Sequence, residues 1–169
     1  MNKLKMKPIQ ISIIIFILFF SQFCFSQSKI PDISIKSSTG EIVNIKEFTK
    51  NKTVILSFWA TWCVPCINEL NNINEVYENW QNETDIILLA VSIDDSRTLS
   101  RVLPLANSND WNYEILFDKN QELKRAFNIL NIPYQIAIHN GNIFYSHTGY
   151  VDGQENILIE KIKEHLKID

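Results

Sequence analysis

Apolar positions along the chain change their period several times, and each change marks an element. Ile33 and Ile35 alternate with polar residues, Ser38-Thr39-Gly40 supplies a turn, and Ile42, Val43 and Ile45 resume the pattern, which predicts a β-hairpin. Val54-Ile55-Leu56-Ser57-Phe58-Trp59 is a nearly continuous apolar run rich in β-branched and aromatic residues, as expected of a central strand covered on both faces. Beyond it, Cys66, Leu70, Ile73, Tyr77 and Trp80 recur at spacings of four, three, four and three, which places them on one face of a helix running to about Trp80. Ile86 to Ser92 reads as a second buried strand, and strand, helix, strand is a βαβ unit with a right-handed crossover. Asp94-Asp95-Ser96 is expected to be a solvated turn or a helix cap.

Further on, residues 97–107 read as helical with Pro104 as a kink or end, Ile115-Leu116-Phe117 as a short strand, and Gln121 to Phe127 as another helix. Gln135 to His139 and Asn142 to Ser146 flank Asn140-Gly141, a strong signal for a two-residue hairpin. Leu158, Ile162 and Leu166 mark a closing amphipathic helix. These elements describe one α/β domain with a central sheet flanked by helices, which suits a chain of 169 residues without repeats or low-complexity tracts. Net charge is −3, with no basic run beyond the N-terminus, so no nucleic-acid partner is expected.

The first residues follow another logic. Lys3, Lys5 and Lys7 precede an uncharged apolar run from Ile9 to Phe20, the shape of a signal peptide, and small residues at Cys24 and Ser26 permit cleavage after Ser26. The expected organisation is therefore a signal peptide over 1–26 and a folded domain over 27–169. The rival is an uncleaved membrane anchor through residues 9–25, a marginal span against the roughly 20 apolar residues needed. Lipidation of Cys24 fits less well, because the bulky Phe23 precedes it. Each reading puts the domain outside the cytoplasm, in the periplasm or attached to the membrane surface.

Loss of Lys3, Lys5 and Lys7, with no acid, takes the net charge from −3 to −6, and Cys24 leaves with them. Only Cys63 and Cys66 remain of the three cysteines, so an exported domain carries a single cysteine pair and no separate structural disulfide. In a helix begun near Cys63 the spacing brings both sulfurs within disulfide range, and the first faces the unpaired N–H groups of the helix start, which favour a thiolate. Pro65 fits the first helical turn, where its missing N–H costs nothing. The pair reads as redox-active.

Phe58-Trp59-Ala60-Thr61-Trp62-Cys63-Val64-Pro65-Cys66, then Glu69, then Ile132-Pro133 before a hairpin, resembles the thioredoxin superfamily, and within it the TlpA/ResA-like thiol–disulfide oxidoreductases. The resemblance covers Pro31 to the C-terminus and implies a thioredoxin-like fold, a central mixed β-sheet flanked by helices, with an N-terminal β-hairpin and an insertion between its two halves. It implies that Cys63 is the exposed attacking thiol and Cys66 the resolving thiol, an order that the helix-start argument supports. Where cytoplasmic thioredoxins carry a buried acid on the strand, this chain has Ser57, whereas ResA-like proteins have an acid where Glu69 stands. Glu69 is thus the candidate proton acceptor for Cys66, against the alternative of a solvated helix glutamate. Pro133 matches the family's cis-proline, with Ile132 offering backbone to an extended substrate. Pro65 and Trp62 complete the candidate substrate-binding set, and Trp59 is expected in the core. The Tyr134-Gln135 pair departs from the family pattern.

The resemblance also implies a monomer without cofactor or metal that reduces disulfides of extracytoplasmic proteins, such as those awaiting haem attachment in cytochromes c. Its electrons would come from a membrane donor of the thioredoxin-relay type. Two other functions compete. A peroxiredoxin-type peroxidase carries Pro and Thr ahead of its reactive cysteine, where this chain has Leu56 and Ala60. A copper-binding chaperone of the same fold would use Cys63, Cys66 and a histidine, yet such relatives separate their cysteines by three residues. His139, His147 and His165 are scattered along the sequence and expected in surface or hydrogen-bonded roles.

Overall fold

The computed structural model describes residues 29–168. The expectations for 1–26, Cys24 included, lie outside the described residues. No described helix is long and apolar enough to cross a membrane.

Seven described strands form one mixed sheet. The N-terminal hairpin pairs β1 (Ser34–Ser37) with β2 (Ile42–Asn44), antiparallel as expected. Ile45 does not extend β2. Asn44 turns the chain by accepting the Glu47 N–H on its side-chain oxygen (3.0 Å), which caps the short helix α1 (Ile45–Phe48) and buries Ile45 completely. Next come β3 (Thr53–Trp59), α2 (Val64–Thr84) and β4 (Ile87–Ser92). A 3₁₀ turn (Leu99–Arg101), α3 (Val102–Ser108), β5 (Glu114–Phe117) and α4 (Glu122–Ala126) make up the middle of the chain. The antiparallel hairpin β6 (Tyr134–His139) and β7 (Asn142–Thr148) and helix α5 (Gln154–Leu166) complete it.

The strand order is β2-β1-β5-β4-β3-β6-β7, with β3, β4 and β5 parallel and the remaining neighbours antiparallel. All seven residues of β3 are buried, so this strand is covered on both faces and forms the centre of the core. Asn140 and Gly141, with φ of 51° and 74°, make the tight β6–β7 turn, where both central residues must take left-handed conformations.

Two expectations about helices change. α2 continues past Trp80 to Thr84, whose hydroxyl bonds back to the Trp80 carbonyl (2.7 Å), and ends at Asp85 in the left-handed region. Pro104 is neither kink nor end. It is the third residue of α3, within the first turn, where a missing N–H leaves no helical bond unmade.

α2 buries Cys66, Glu69, Leu70, Ile73, Tyr77, Trp80 and Thr84, and α5 packs beside it. β5 pairs with β4 only from Leu89 onward, and the N–H of Leu88, just before, goes to Tyr77 Oη (2.9 Å). Tyr77 also meets Tyr113 edge-on, and Tyr113 donates to the Leu70 carbonyl (2.7 Å). A Tyr77→Phe substitution keeps the ring and leaves that buried N–H unpaired. It is expected to cost about 1–3 kcal/mol in urea unfolding, and an unchanged unfolding midpoint would contradict this assignment.

Candidate active site

The site forms where β3 runs out and α2 begins. The Ile93 N–H donates to the Trp59 carbonyl (2.9 Å) and the Cys63 N–H to the Ala60 carbonyl (3.0 Å), so the connecting loop is tied to its own strand and to the chain leaving β4. Asp94 fixes it further. Its carboxylate accepts the Thr61 N–H (2.9 Å), the Thr61 hydroxyl (2.6 Å) and the Ser92 hydroxyl (2.9 Å), and the residue is 0% exposed. The expected solvated turn is therefore wrong for Asp94, which acts as a buried brace under the cysteine loop. Asp95 does reach the surface, where Arg97 holds it through paired N–H donors.

Cys63 is the N-cap residue of α2 and makes no side-chain capping bond. Cys63 and Cys66 form a disulfide, with Cα atoms 5.3 Å apart. Cys63 retains 6% exposure whereas Cys66 is completely buried, so the first sulfur is the one that a partner reaches, though through a narrow opening. Near the start of α2 the Val64 and Cys66 N–H groups have no intrahelical acceptor, and Pro65 has no N–H to offer. Those donors lie where a Cys63 thiolate would need them.

Glu69 lies one turn beyond Cys66 on the same buried face and is only 2% exposed. A solvated helix glutamate is thereby excluded. Burial pushes its carboxyl up to about 8; the Ser57 hydroxyl, which donates to Oε2 (3.2 Å), pulls the other way, and the charge of Glu155 adds to the rise. Desolvation outweighs one neutral hydrogen bond, so the carboxyl holds its proton at neutral pH. Ser57, which cannot serve as a base, is the residue that orients the acid. Gln135 lies directly opposite Ser57 on β6, hence on the same sheet face, and its buried amide nitrogen has no partner.

The Ile132–Pro133 peptide bond is cis, as the resemblance implies. Tyr134 pairs with Phe58, so Pro133 falls opposite Trp59 at the end of β3 from which the cysteine loop departs. Pro133 is buried and Ile132 half-buried. Trp59 is fully enclosed and meets Trp111 edge-on, with ring centroids 4.9 Å apart, so it belongs to the core. Trp62 is 59% exposed, and with exposed Val64 and Pro65 it forms an uncharged apolar rim around Cys63. His139 and His165 lie toward the other end of the sheet, whereas His147, on edge strand β7, pairs with Gln135 near the cysteine end. His139 contacts Thr53 and Asn140, His165 stacks on Phe144, and His147 contacts Gln154.

Comparison with known proteins gives the same picture. The AhpC/TSA family matches residues 27–152. A thioredoxin-like protein from Porphyromonas gingivalis, known from a solution structure, is 43% identical over 83% of this chain and 94% of its own, with a TM-score of 0.72. A crystal structure of a putative thiol:disulfide interchange protein DsbE from Chlorobium tepidum covers 83% of this chain and 96% of its own at 23% identity and a TM-score of 0.73. A putative protein disulfide isomerase from Bacteroides thetaiotaomicron covers 82% and 88% at 24% identity and a TM-score of 0.70. No curated protein matches.

The buried acid makes stability depend on pH in a definite direction. Between the usual carboxylate value of 4.5 and about 8, the folded chain holds a proton on Glu69 that the unfolded chain has lost, so stability falls as pH rises. The full span is worth at most about 5 kcal/mol. In urea unfolding of the oxidised protein, Glu69→Gln should gain stability relative to the native chain between pH 5 and pH 8. Parallel stability profiles for the two proteins would show that Glu69 titrates normally.

Proposed function

The chain belongs to the AhpC/TSA family, and from that premise we propose that this thioredoxin-like oxidoreductase reduces disulfides of proteins outside the cytoplasm. The observation that carries the reading is the contrast between its two cysteines: Cys63 slightly accessible at a helix start, Cys66 sealed one turn away from a buried carboxyl whose pKa is near 8. An ordinary carboxylate is about four units too acidic to accept a thiol proton efficiently. Raising the acid to about 8 narrows that gap.

In the reduced protein, the Cys63 thiolate attacks one sulfur of a substrate disulfide. A Cys63–substrate bond forms, the substrate S–S bond breaks, and the first substrate thiolate departs and takes a proton from water. In molecules whose Glu69 has lost its proton, a fraction that grows as pH approaches about 8, Cys66 then gives its proton to Glu69, and its thiolate attacks the Cys63 sulfur. The Cys63–Cys66 disulfide forms and the second substrate thiolate leaves, so two electrons have passed from the protein's dithiol to the substrate. Ile132 and Pro133, opposite the end of β3, supply backbone against which an extended substrate segment lies, and the apolar rim of Trp62, Val64 and Pro65 packs on it.

The signal-like N-terminus and the lone cysteine pair beyond residue 26 support an extracytoplasmic site of action, and the name of the Chlorobium tepidum neighbour supports thiol–disulfide chemistry. Return to the dithiol requires a reductant, which we assign to a membrane donor of the thioredoxin-relay type. Cysteines awaiting haem attachment are the substrates that the resemblance suggests. Leu56 and Ala60 occupy the places where a peroxidase of this fold carries Pro and Thr, so peroxide consumption serves as the control.

Cys66→Ser should trap the physiological partner as a mixed disulfide on Cys63 that dithiothreitol releases; absence of any trapped thiol partner would count against the reading. Glu69→Gln should slow resolution of that mixed disulfide by about 100-fold while leaving attack by Cys63 nearly intact. Rapid-quench gels resolve the two steps, and an unchanged resolving rate would remove Glu69 from the mechanism.

A further inference from the structure

Beside Trp62 lies a groove of about 430 Å³, walled by the Trp62 ring, Arg101 and Gln121, with Ile93 and Thr98 also lining it. Its polar groups are unequally committed. Arg97 and Asp95 neutralise one another through two N–H contacts of 3.0 and 2.7 Å. Gln121 is drawn toward the Ile93 carbonyl (3.4 Å). Arg101, by contrast, is exposed and makes no ion pair among the described residues. Thr98 presents an enclosed hydroxyl, and that Oγ1 has no hydrogen-bond partner. The groove therefore offers one free guanidinium, since the Thr98 hydroxyl is sealed from solvent and the carboxylate is already engaged.

We propose that this groove is a specificity subsite for an acidic side chain of the substrate polypeptide, placed within a few residues of the cysteine that Cys63 attacks. The inference rests on the thiol–disulfide reading above and names the kind of sequence that the site prefers. A carboxylate can accept two parallel N–H bonds from Arg101, the one uncommitted charge in the groove. A lysine in the same place meets Arg101 with no free acid to offset it, and an apolar residue makes no bond to the guanidinium. Trp62, immediately before Cys63, packs on the connecting segment and sets the distance between the acidic residue and the reacting sulfur. On a chain with a net charge of −3, an unpaired arginine in the groove that Trp62 lines provides local selection that overall charge would oppose.

The test uses three peptides, each with an internal disulfide and amidated termini, identical except for Glu, Gln or Lys two residues from one cysteine. The reduced protein should process the Glu peptide with a kcat/KM about two- to five-fold above the Gln peptide, with the Lys peptide lowest. That ratio should fall toward one at high salt. Arg101→Gln should abolish the ratio and Arg101→Glu should reverse it in favour of Lys. Each rate is divided by the same variant's rate on 2-hydroxyethyl disulfide, so a poorly folded variant lowers all values alike. Equal kcat/KM for the three peptides, or a native ratio retained in Arg101→Glu, would overturn the subsite and leave the oxidoreductase reading standing. No reduction of the peptides or of 2-hydroxyethyl disulfide would overturn that reading, and the subsite with it.

Discussion

Packing of α2 onto β3 takes Cys66 and Glu69 out of water together. The carboxyl gains one hydroxyl, from Ser57, where solvent would have offered several donors. Burial wins over that single bond, and the acid keeps its proton to about 8. The same helix begins at Cys63, so its first turn turns unfilled N–H groups toward the outer sulfur while its buried face closes over the inner one. Two chemically identical residues three positions apart thereby acquire different roles, one reachable by a partner and the other reachable only by its neighbour.

Such a difference persists only if the loop ahead of the helix is held still. β3 and β4 are parallel, and the loop rises from the end of β3 beside the chain leaving β4. Asp94 bridges the two, accepting from the Thr61 backbone and hydroxyl while Ser92 donates to the same carboxylate. A buried carboxyl group is costly without partners, and three donors to it offset that cost. Asp94 touches no reacting atom. It positions Thr61, and through Thr61 the last residues before Cys63.

Most of the architecture was legible because it is local. Apolar alternation revealed the first hairpin, a nearly continuous apolar run revealed β3, and Asn140-Gly141 fixed the turn of the last hairpin to the residue. The cysteine pair at a strand-to-helix junction was legible for the same reason. Glu69 was half legible: with Cys66, Leu70 and Ile73 it falls on the apolar face of α2, but spacing alone does not say whether a face is sealed at its N-terminal end. Asp94 was not legible, because its partner is 33 residues away. Its location follows only from strand register: Trp59 pairs with Ser92, and the same offset carried two residues onward aligns Thr61 with Asp94. The Ile45 helix was lost to a polar cap whose effect outweighs an apolar residue's place in an alternating pattern.

The carboxyl value near 8 belongs to the oxidised protein, in which neither sulfur titrates and Glu69 has no proton-exchanging neighbour in contact. Reduction changes the system in kind. Cys66 then carries a titratable thiol one helical turn from Glu69, and both groups are buried, so forming either anion raises the cost of forming the other. Their protons come off in two steps that belong to the pair. Below the first step both are neutral and Cys66 waits for a base. Between the steps one negative charge is shared, and it can reside on Glu69 until the Cys63 sulfur becomes electrophilic in the mixed disulfide, at which point the charge is drawn onto Cys66. Above the first step the buried acid therefore holds one negative charge, which passes to the resolving sulfur when a substrate occupies the attacking one.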